Sequence, residues 1–323
     1  MALYLLDLPR QCIPLEDLCF SLSHEREQLS QMVHQNYPRE IEQFYEEYAR
    51  QARPHYDPEN NPILTIRGFN AENPSRSFYL SCVEFKDYHA LKKLLYQHRH
   101  TDDLLLQQFV PLSMIAVLET ADHYLVLGHR GGDHLPNRYL SPAGFHECPK
   151  TISPQYFSDK CKEEFREEIG FDFGGDITYI GLPGDTRDSF LDVSIFHGLT
   201  HMTREDIQEA WEENGSKDEH KHLIYIPSDP PHIARFLQGG YTGIVNPFKD
   251  ITFEDGCCVR GPPEIHGKNY QQIENGVGSL VAYLSLKLPS QGLDHILESL
   301  VQSKIIEGFT YRNLSTSDSV YLL

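Results

Sequence analysis

The segment KCKEEFREEIGFD, Lys160 to Asp172, places glutamates at 163, 164, 167 and 168. At about 100° per residue on a helix, Glu164, Glu167 and Glu168 share one flank. Phe157, Cys161, Phe165 and Ile169 recur every fourth residue and form an apolar stripe beside that flank, with Glu168 nearest to it. Carboxylates four apart repel on adjacent turns. A half-buried trio of them costs stability unless a cation neutralises it, and all-oxygen donors suit hard divalent ions such as Mg²⁺ or Mn²⁺. The other reading of the same helix is a solvated acidic face, with Lys160 and Lys162 as counter-charges. Residue spacing alone leaves both open.

The helix has defined ends. Ser153 is an N-cap followed by Pro154 at the first helical position, and Gly170 supplies the stop. Upstream lies SPAGFHE, Ser141 to Glu147, where Gly144 lets backbone approach a ligand closely. The surrounding stretch, dense in Gly and Pro, predicts a long functional loop. Before it, PLSMIAVLETADHYLVLGHRG predicts a hairpin turning at ETADH. After the helix come strands at DITYIGL and FLDVSIFHGLT, a helix at REDIQEAWEEN, a strand at HLIYIP and helices at PPHIARFLQ, GVGSLVAYLSLKL and GLDHILESLVQ. Interleaved strands and helices predict α/β or α+β layers. The chain divides into an N-terminal α+β extension, 1–110, and a second region, 111–323. In the first, the pattern from about Leu15 to Gln51 is polar and helical; RPHYDPENNP then breaks the chain before strands at ILTIRGF and SFYLSCVEF and a helix at YHALKKLLYQH.

Composition narrows the function. The 323 residues are 40% hydrophobic, enough for a sizeable core. With 28 basic residues against 47 acidic ones the formal net charge is −19, which disfavours nucleic acid as a partner. No apolar run reaches the length of a membrane span, and ALYLL near the start reads as a strand. The seven cysteines show neither zinc-type spacing nor a small-domain disulfide framework, which points to a reducing, cytoplasmic setting, and adjacent Cys257 and Cys258 read as packed or spare thiols. Of the seventeen histidines, EHKH (Glu219 to His222) and HRH (His98 to His100) lack partners at diagnostic metal spacing and read as solvated or loop residues. There is no G-x-S-x-G nucleophile elbow, and GVGSLVAY lacks the rest of a dinucleotide fingerprint.

EEFREEIGF, with the glycine-containing loop before it, resembles the signature of the Nudix hydrolases, G-x5-E-x7-R-E-U-x-E-E-x-G-U, where U is bulky and apolar. Glu164, Phe165, Glu167, Glu168, Gly170 and Phe171 fit its second half. YLVLGHRGGD and YLSPAGFHE are similar to the strand–loop–strand leading into that motif. Three departures stand out. Gly144 to Glu164 is 20 positions where the motif has 15, so Lys150 falls at its first glutamate; Glu163 replaces its arginine; Ala143 replaces the first glycine of its pair. The resemblance implies a Nudix α/β/α sandwich with a mixed sheet, in which Glu164, Glu167 and Glu168 hold Mg²⁺ or Mn²⁺ and are catalytic.

Over the rest of the chain the arrangement is similar to the branch of that family hydrolysing UDP-glucose, whose motif is likewise stretched and lacks the arginine. That likeness implies a nucleotide-sugar substrate, UDP-glucose or UDP-galactose, split to UMP and sugar 1-phosphate. It assigns substrate contacts to Arg130, Arg187, Asp192, Tyr88 and Glu147, the last also able to complete the metal shell. Glu219 and Glu274 are weaker candidates for a general base. Hydrolysis of ADP-ribose or another nucleoside diphosphate derivative, and a non-catalytic nucleotide-binding role, remain as alternatives. The sequence does not specify an oligomeric state.

Overall fold

A computed structural model describes residues 2–51, 61–71, 75–98, 111–130, 139–185, 192–238, 253–254, 257–258, 274–304, 306, 308–311 and 320–321. The first part of the chain runs β1 (Ala2–Asp7), β2 (Ile13–Pro14), β3 (Leu18–Glu27), α1 (Gln31–Asn36), α2 (Pro38–Gln51), β4 (Pro62–Ala71), β5 (Arg76–Glu84) and α3 (Phe85–Gln97). There follow β6 (Leu112–Glu119), β7 (Tyr124–Arg130), β8 (Tyr139–Leu140), β9 (Ala143–Phe145) and α4 (Pro154–Glu164), which continues into a π turn (Phe165–Ile169). Next are β10 (Ile177–Asp185), β11 (Asp192–Leu199), α5 (Arg204–Asn214), β12 (His220–Pro227) and α6 (Pro230–Leu237). The remainder is β13 (Phe253–Glu254), β14 (Cys257–Cys258), α7 (Glu274–Lys287), α8 (Ser290–Gln302), β15 (Gly308–Tyr311) and β16 (Val320–Tyr321).

The main sheet has the order β12-β7-β6-β11-β10-β1-β15, with β9 and β8 added at β6 and β7. It is mixed: β6 and β11 run parallel, whereas β7 and β12 run antiparallel. Every residue of β6 is buried, as a strand covered on both faces must be. Side chains alternate across it. Ile115 and Val117 face a core shared with α6, α7 and α8; Met114, Ala116 and Leu118 face one shared with α4 and α5. Two helical layers therefore enclose the sheet, which makes an α/β/α sandwich.

Each sheet takes strands from both sides of residue 110. β1 and β2 pair with β10 in the main sheet, while β16, from the other end of the chain, pairs with β4 in a second sheet of order β16-β4-β5-β3. Helices α2 and α3 cover this second sheet through Phe44, Leu91 and Leu94. The helical reading of Leu15 to Gln51 is corrected at β3, where Leu18, Phe20 and Leu22 point inward and Cys19, Ser21 and Ser23 outward. That two-residue period fits a strand beside β5 and overrides the polar composition. Arg76 of β5 reaches Asp7 of β1 at 2.7 Å, and Tyr179 donates to the same oxygen at 3.0 Å, so a largely buried ion pair ties the two sheets together.

A second tie was invisible in the cysteine spacing. Cys82 of β5 and Cys148 are joined by a disulfide across 66 positions, with a Cα–Cα distance of 5.9 Å, against the expectation of unpaired thiols. The pairing is created by β4, whose Pro62 carbonyl accepts from Cys148 N at 2.7 Å and whose Leu64 N donates to His146 O at 2.8 Å. No helix among the described residues is long and apolar enough to cross a membrane.

Gly170 ends the π turn at φ 93°, and a Cβ there would lie 2.5 Å from Gly215 N. Left-handed backbone and a backbone clash together cost about 2 kcal/mol. Gly170→Ala should lower the denaturant midpoint accordingly, with an unchanged slope.

Glu119, at the end of β6, is buried and fully engaged. Ser228 Oγ donates to it at 2.8 Å, Tyr283 OH at 2.7 Å, and His197 Nε2 lies 3.1 Å away. Burial raises its pKa, but hydrogen bonds from His197, Tyr283 and Ser228 outweigh that and hold it at about 2. A carboxylate depressed below the ordinary 4.5 contributes stability above that pH and loses it as pH falls toward 2. The stability penalty of Glu119→Gln should therefore be larger at pH 6 than at pH 3, measured by urea unfolding at both.

Candidate active site

Ser153 caps α4 by accepting a hydrogen bond from Tyr156 N at 3.4 Å. The stripe Phe157, Cys161, Phe165 and Ile169 is fully buried against the main sheet. The helix then widens: Gly170 N donates to Phe165 O at 3.0 Å and to Arg166 O at 3.1 Å, closing a π turn between Glu164 and Glu168. Such turns re-aim side chains, here the two carboxylates that the stripe leaves on one flank.

Glu168 is 4% exposed, the most buried of the four glutamates. Its Oε1 accepts from Ala143 N at 3.2 Å, and its Oε2 lies 2.7 Å from His220 Nε2. Glu164, half-buried, hydrogen-bonds to Glu168. Burial above all, then the charges of Glu168, Glu167 and Glu219, push Glu164 up to about 9. The loop expected to approach a ligand approaches Glu164 itself: a Cβ on Gly144 would sit 2.1 Å from its Oε1. Glu167 is exposed beside the pair, and Glu163 turns away to bind Lys160 at 2.5 Å. The solvated-face reading thus describes Glu163, but not Glu164 and Glu168.

Two residues in this site were set aside or only weakly favoured from the sequence. His220 is fully buried, not solvated, because β12 lies along β7 and its imidazole fills space that only a glycine at 128 leaves open: a Cβ there would be 2.3 Å from the ring. His222, two residues on, stacks on buried His129 at 4.5 Å, and burial foremost pushes its pKa down to about 3. Glu219, exposed before β12, is the second. Glu168, Glu219 and His220 can each offer one ligand atom, all within 4.8 Å of one another. The signal was present in the sequence, in EHKH abutting an apolar strand and a glycine inside YLVLGHR.

The substrate-contact candidates fall in different places. Arg130 closes β7 with its backbone paired to that of His220, which puts it at the glutamate end of the strand. Asp192 opens β11, paired to Leu112 of β6. Glu147 is exposed; its carbonyl accepts from Tyr156 OH at 2.5 Å, and its backbone bridges Ile63 of β4. Tyr88 is 3% exposed, in the core between α3, α2 and the second sheet. Arg187 lies outside the described residues; Glu274 begins α7. A cleft bordered by Leu8, Arg10, Pro14 and Arg76 shares no residue with the glutamate cluster.

The donor set fits a hard divalent cation. It is dominated by carboxylate oxygens, one of them, on Glu164, so buried and then so crowded by like charge that it is pushed up to about 9.

No protein-family model matches the chain, and no curated protein sequence matches it. Solved structures similar to it in part include the following three. One is a protein of Deinococcus radiodurans, at 14% identity and TM-score 0.31, covering 44% of this chain and 80% of that one. Another is a Nudix hydrolase from Nitrosomonas europaea, at 18% and 0.26, covering 36% and 70%. The third is the Nudix domain of Shewanella oneidensis NrtR, solved with ADP ribose, at 17% and 0.23, covering 29% and 60%.

Proposed function

We propose that the chain is a Nudix-type hydrolase that uses a divalent cation, Mg²⁺ or Mn²⁺, to cleave the diphosphate of a nucleoside diphosphate derivative. The observation that carries this reading is the Glu164–Glu168 pair under the Ala143–Gly144 backbone, with Glu164 pushed up to about 9 by burial and like charge. Such a pair is costly as a structural element and useful as a cation seat. Glu164 and Glu168 hold the ion; Glu219 completes the oxygen set, and exposed Glu167 either joins it or takes the proton of the attacking water. When bound, the ion neutralises the diphosphate and lowers the pKa of water.

The protein's own groups then divide the remaining work. Ala143 N and His220 Nε2 fix both oxygens of Glu168, so the carboxylate does not reorganise during turnover. His220 in this way compensates for the motif arginine that Glu163 replaces. Arg130, beside His220, is the cation we assign to the phosphates. The backbone of β4 and the Cys82–Cys148 disulfide anchor the segment carrying Glu147, which makes the N-terminal region a support for the site. In the reaction a water oxygen bonds to one phosphorus as the bridging P–O bond breaks. For a UDP-hexose, which the sequence resemblance favours, the products are UMP and hexose 1-phosphate.

A panel of UDP-glucose, UDP-galactose, ADP-ribose and NADH, with and without Mg²⁺ and read as phosphate after phosphatase coupling, tests this. Cation-dependent turnover of a UDP-hexose supports the full reading, and preference for ADP-ribose keeps the reaction but moves the substrate. Tight nucleotide binding without turnover anywhere would show a binding protein instead.

A further inference from the structure

The Cys82–Cys148 disulfide stands where its loss reaches the glutamate pair. β9 holds Ala143, Gly144 and Phe145 against β6. Ala143 N donates to Glu168 Oε1 at 3.2 Å, and Gly144 borders Glu164. The next three residues lie along β4: Leu64 N donates to His146 O, Glu147 bridges Ile63, and Cys148 N donates to Pro62 O. Cys148 ends this run in its bond to Cys82, whose strand β5 pairs with β4 at Leu64. The disulfide therefore fastens to the second sheet the same stretch of chain whose start roofs the glutamates. Within that stretch sits a side chain ill suited to its place. His146 is 0% exposed, and among the described residues neither of its ring nitrogens has a hydrogen-bond partner. Its ring packs edge-on against Phe157 at 4.8 Å and tilted against Tyr156 at 5.6 Å, both in α4. Two orphaned ring nitrogens favour leaving the core for water, so the segment stays down because it is tied. The ties are β9 before His146, the β4 hydrogen bonds, the Tyr156 hydroxyl on Glu147 O, and the disulfide two residues on. Of these the disulfide is the one that a chemical reaction can cut. Cys82 is 2% exposed and Cys148 half-buried, so a thiol reaches the bond from the Cys148 side.

We propose that the Cys82–Cys148 bond is a redox clamp: its reduction by a dithiol frees His146 and its neighbours from the core and weakens divalent-cation binding at Glu164 and Glu168. The cation half of this statement rests on the hydrolase reading; the release of the segment does not. One thiolate of the dithiol attacks Cys148 Sγ, a mixed disulfide forms as the Cys82–Cys148 bond breaks, and Cys82 departs with the electron pair and takes up a proton. The second thiolate then attacks the reductant's own sulfur in that mixed disulfide. Cys148 leaves as a thiolate and takes the second proton. The dithiol ends as its disulfide, oxidised by two electrons, and the two cysteines are reduced by the same two. With the clamp open, the run along β4 comes away and β9 frays from Phe145 toward Gly144. Ala143 N then no longer fixes Glu168.

The full-length chain is compared in its oxidised form and after treatment with dithiothreitol, which is removed before measurement. Alkylation and mass spectrometry establish that Cys82 and Cys148 have become thiols. Amide exchange in peptides covering Leu64 and His146 to Cys148 should then be about tenfold faster or more, with the α7 and β11 peptides unchanged. Mn²⁺ affinity, read from the electron paramagnetic resonance of the free ion, should fall about tenfold, as when the outer support of a metal ligand is lost. Reoxidation should restore both. His146→Phe, which fills the same space without the two nitrogens, should keep the segment docked after reduction and blunt both changes. A reduced chain whose exchange and Mn²⁺ affinity match those of the oxidised one would overturn the proposal, as would one that unfolds throughout. An oxidised chain that binds no Mn²⁺ would contradict the hydrolase reading instead, and exchange at His146 to Cys148 then decides the clamp by itself.

Discussion

Glu168→Gln should lower cation-dependent kcat/KM by 10²-fold or more, about 2.7 kcal/mol of transition-state stabilisation, while leaving the fold intact. Glutamine has the same volume, and its side-chain oxygen can still accept from Ala143 N as Glu168 does at 3.2 Å. What disappears is one charge in a cluster that, after burial, holds Glu164 up to about 9. Without metal the variant should therefore unfold at the same or a higher temperature than the parent, because like-charge repulsion is relieved. The rise in Tm that Mg²⁺ should give the parent should be absent from the variant. Lost activity with retained metal-free stability separates a ligand role from a packing role; full Mg²⁺-dependent turnover would remove Glu168 from the chemistry altogether.

Gly144→Ala should act on the same site from the other side. The added methyl would lie 2.1 Å from Glu164 Oε1 and 2.8 Å from its Cδ, so the carboxylate must swing away. That end of the side chain is free to move, and β9 keeps its pairing to β6, so stability changes little. Displacing a ligand by about an ångström typically costs on the order of 10²-fold in rate. The expected signature is a kcat/KM reduced by about that factor with Tm within a few degrees of the parent. Activity unaffected by the methyl would mean that Glu164 already points elsewhere during turnover.

The most legible part of the site in the sequence was the part written in one helix. A four-residue apolar period, a Ser-Pro start and a glycine stop located the stripe, the cap and the end of the glutamate segment, and they placed Glu168 nearest the core. The π turn was not legible, since it changes hydrogen bonding without changing residue pattern. His220 was misread because its burial is decided by β7, some 90 positions earlier, where Gly128 makes room for the ring. The same holds for the Cys82–Cys148 bond and for the exchange of β1 and β16 between sheets: partners are chosen by topology, and spacing along the chain does not encode it. β3 was lost to composition, its polar outward face masking a short inward alternation. The burial of Tyr88 was likewise not legible, since the core it joins is assembled by α2, α3 and the second sheet.

Diffraction from crystals soaked in Mn²⁺, recorded near the manganese absorption edge, tests the central claim most directly. The account predicts an anomalous peak bounded by the carboxylates of Glu164 and Glu168 and the Ala143–Gly144 backbone, at roughly 2.1–2.2 Å from the ligating oxygens, a little beyond the distances typical of Mg²⁺. A fully active enzyme whose only manganese lies elsewhere, with Glu164 and Glu168 still sharing their proton, would contradict it.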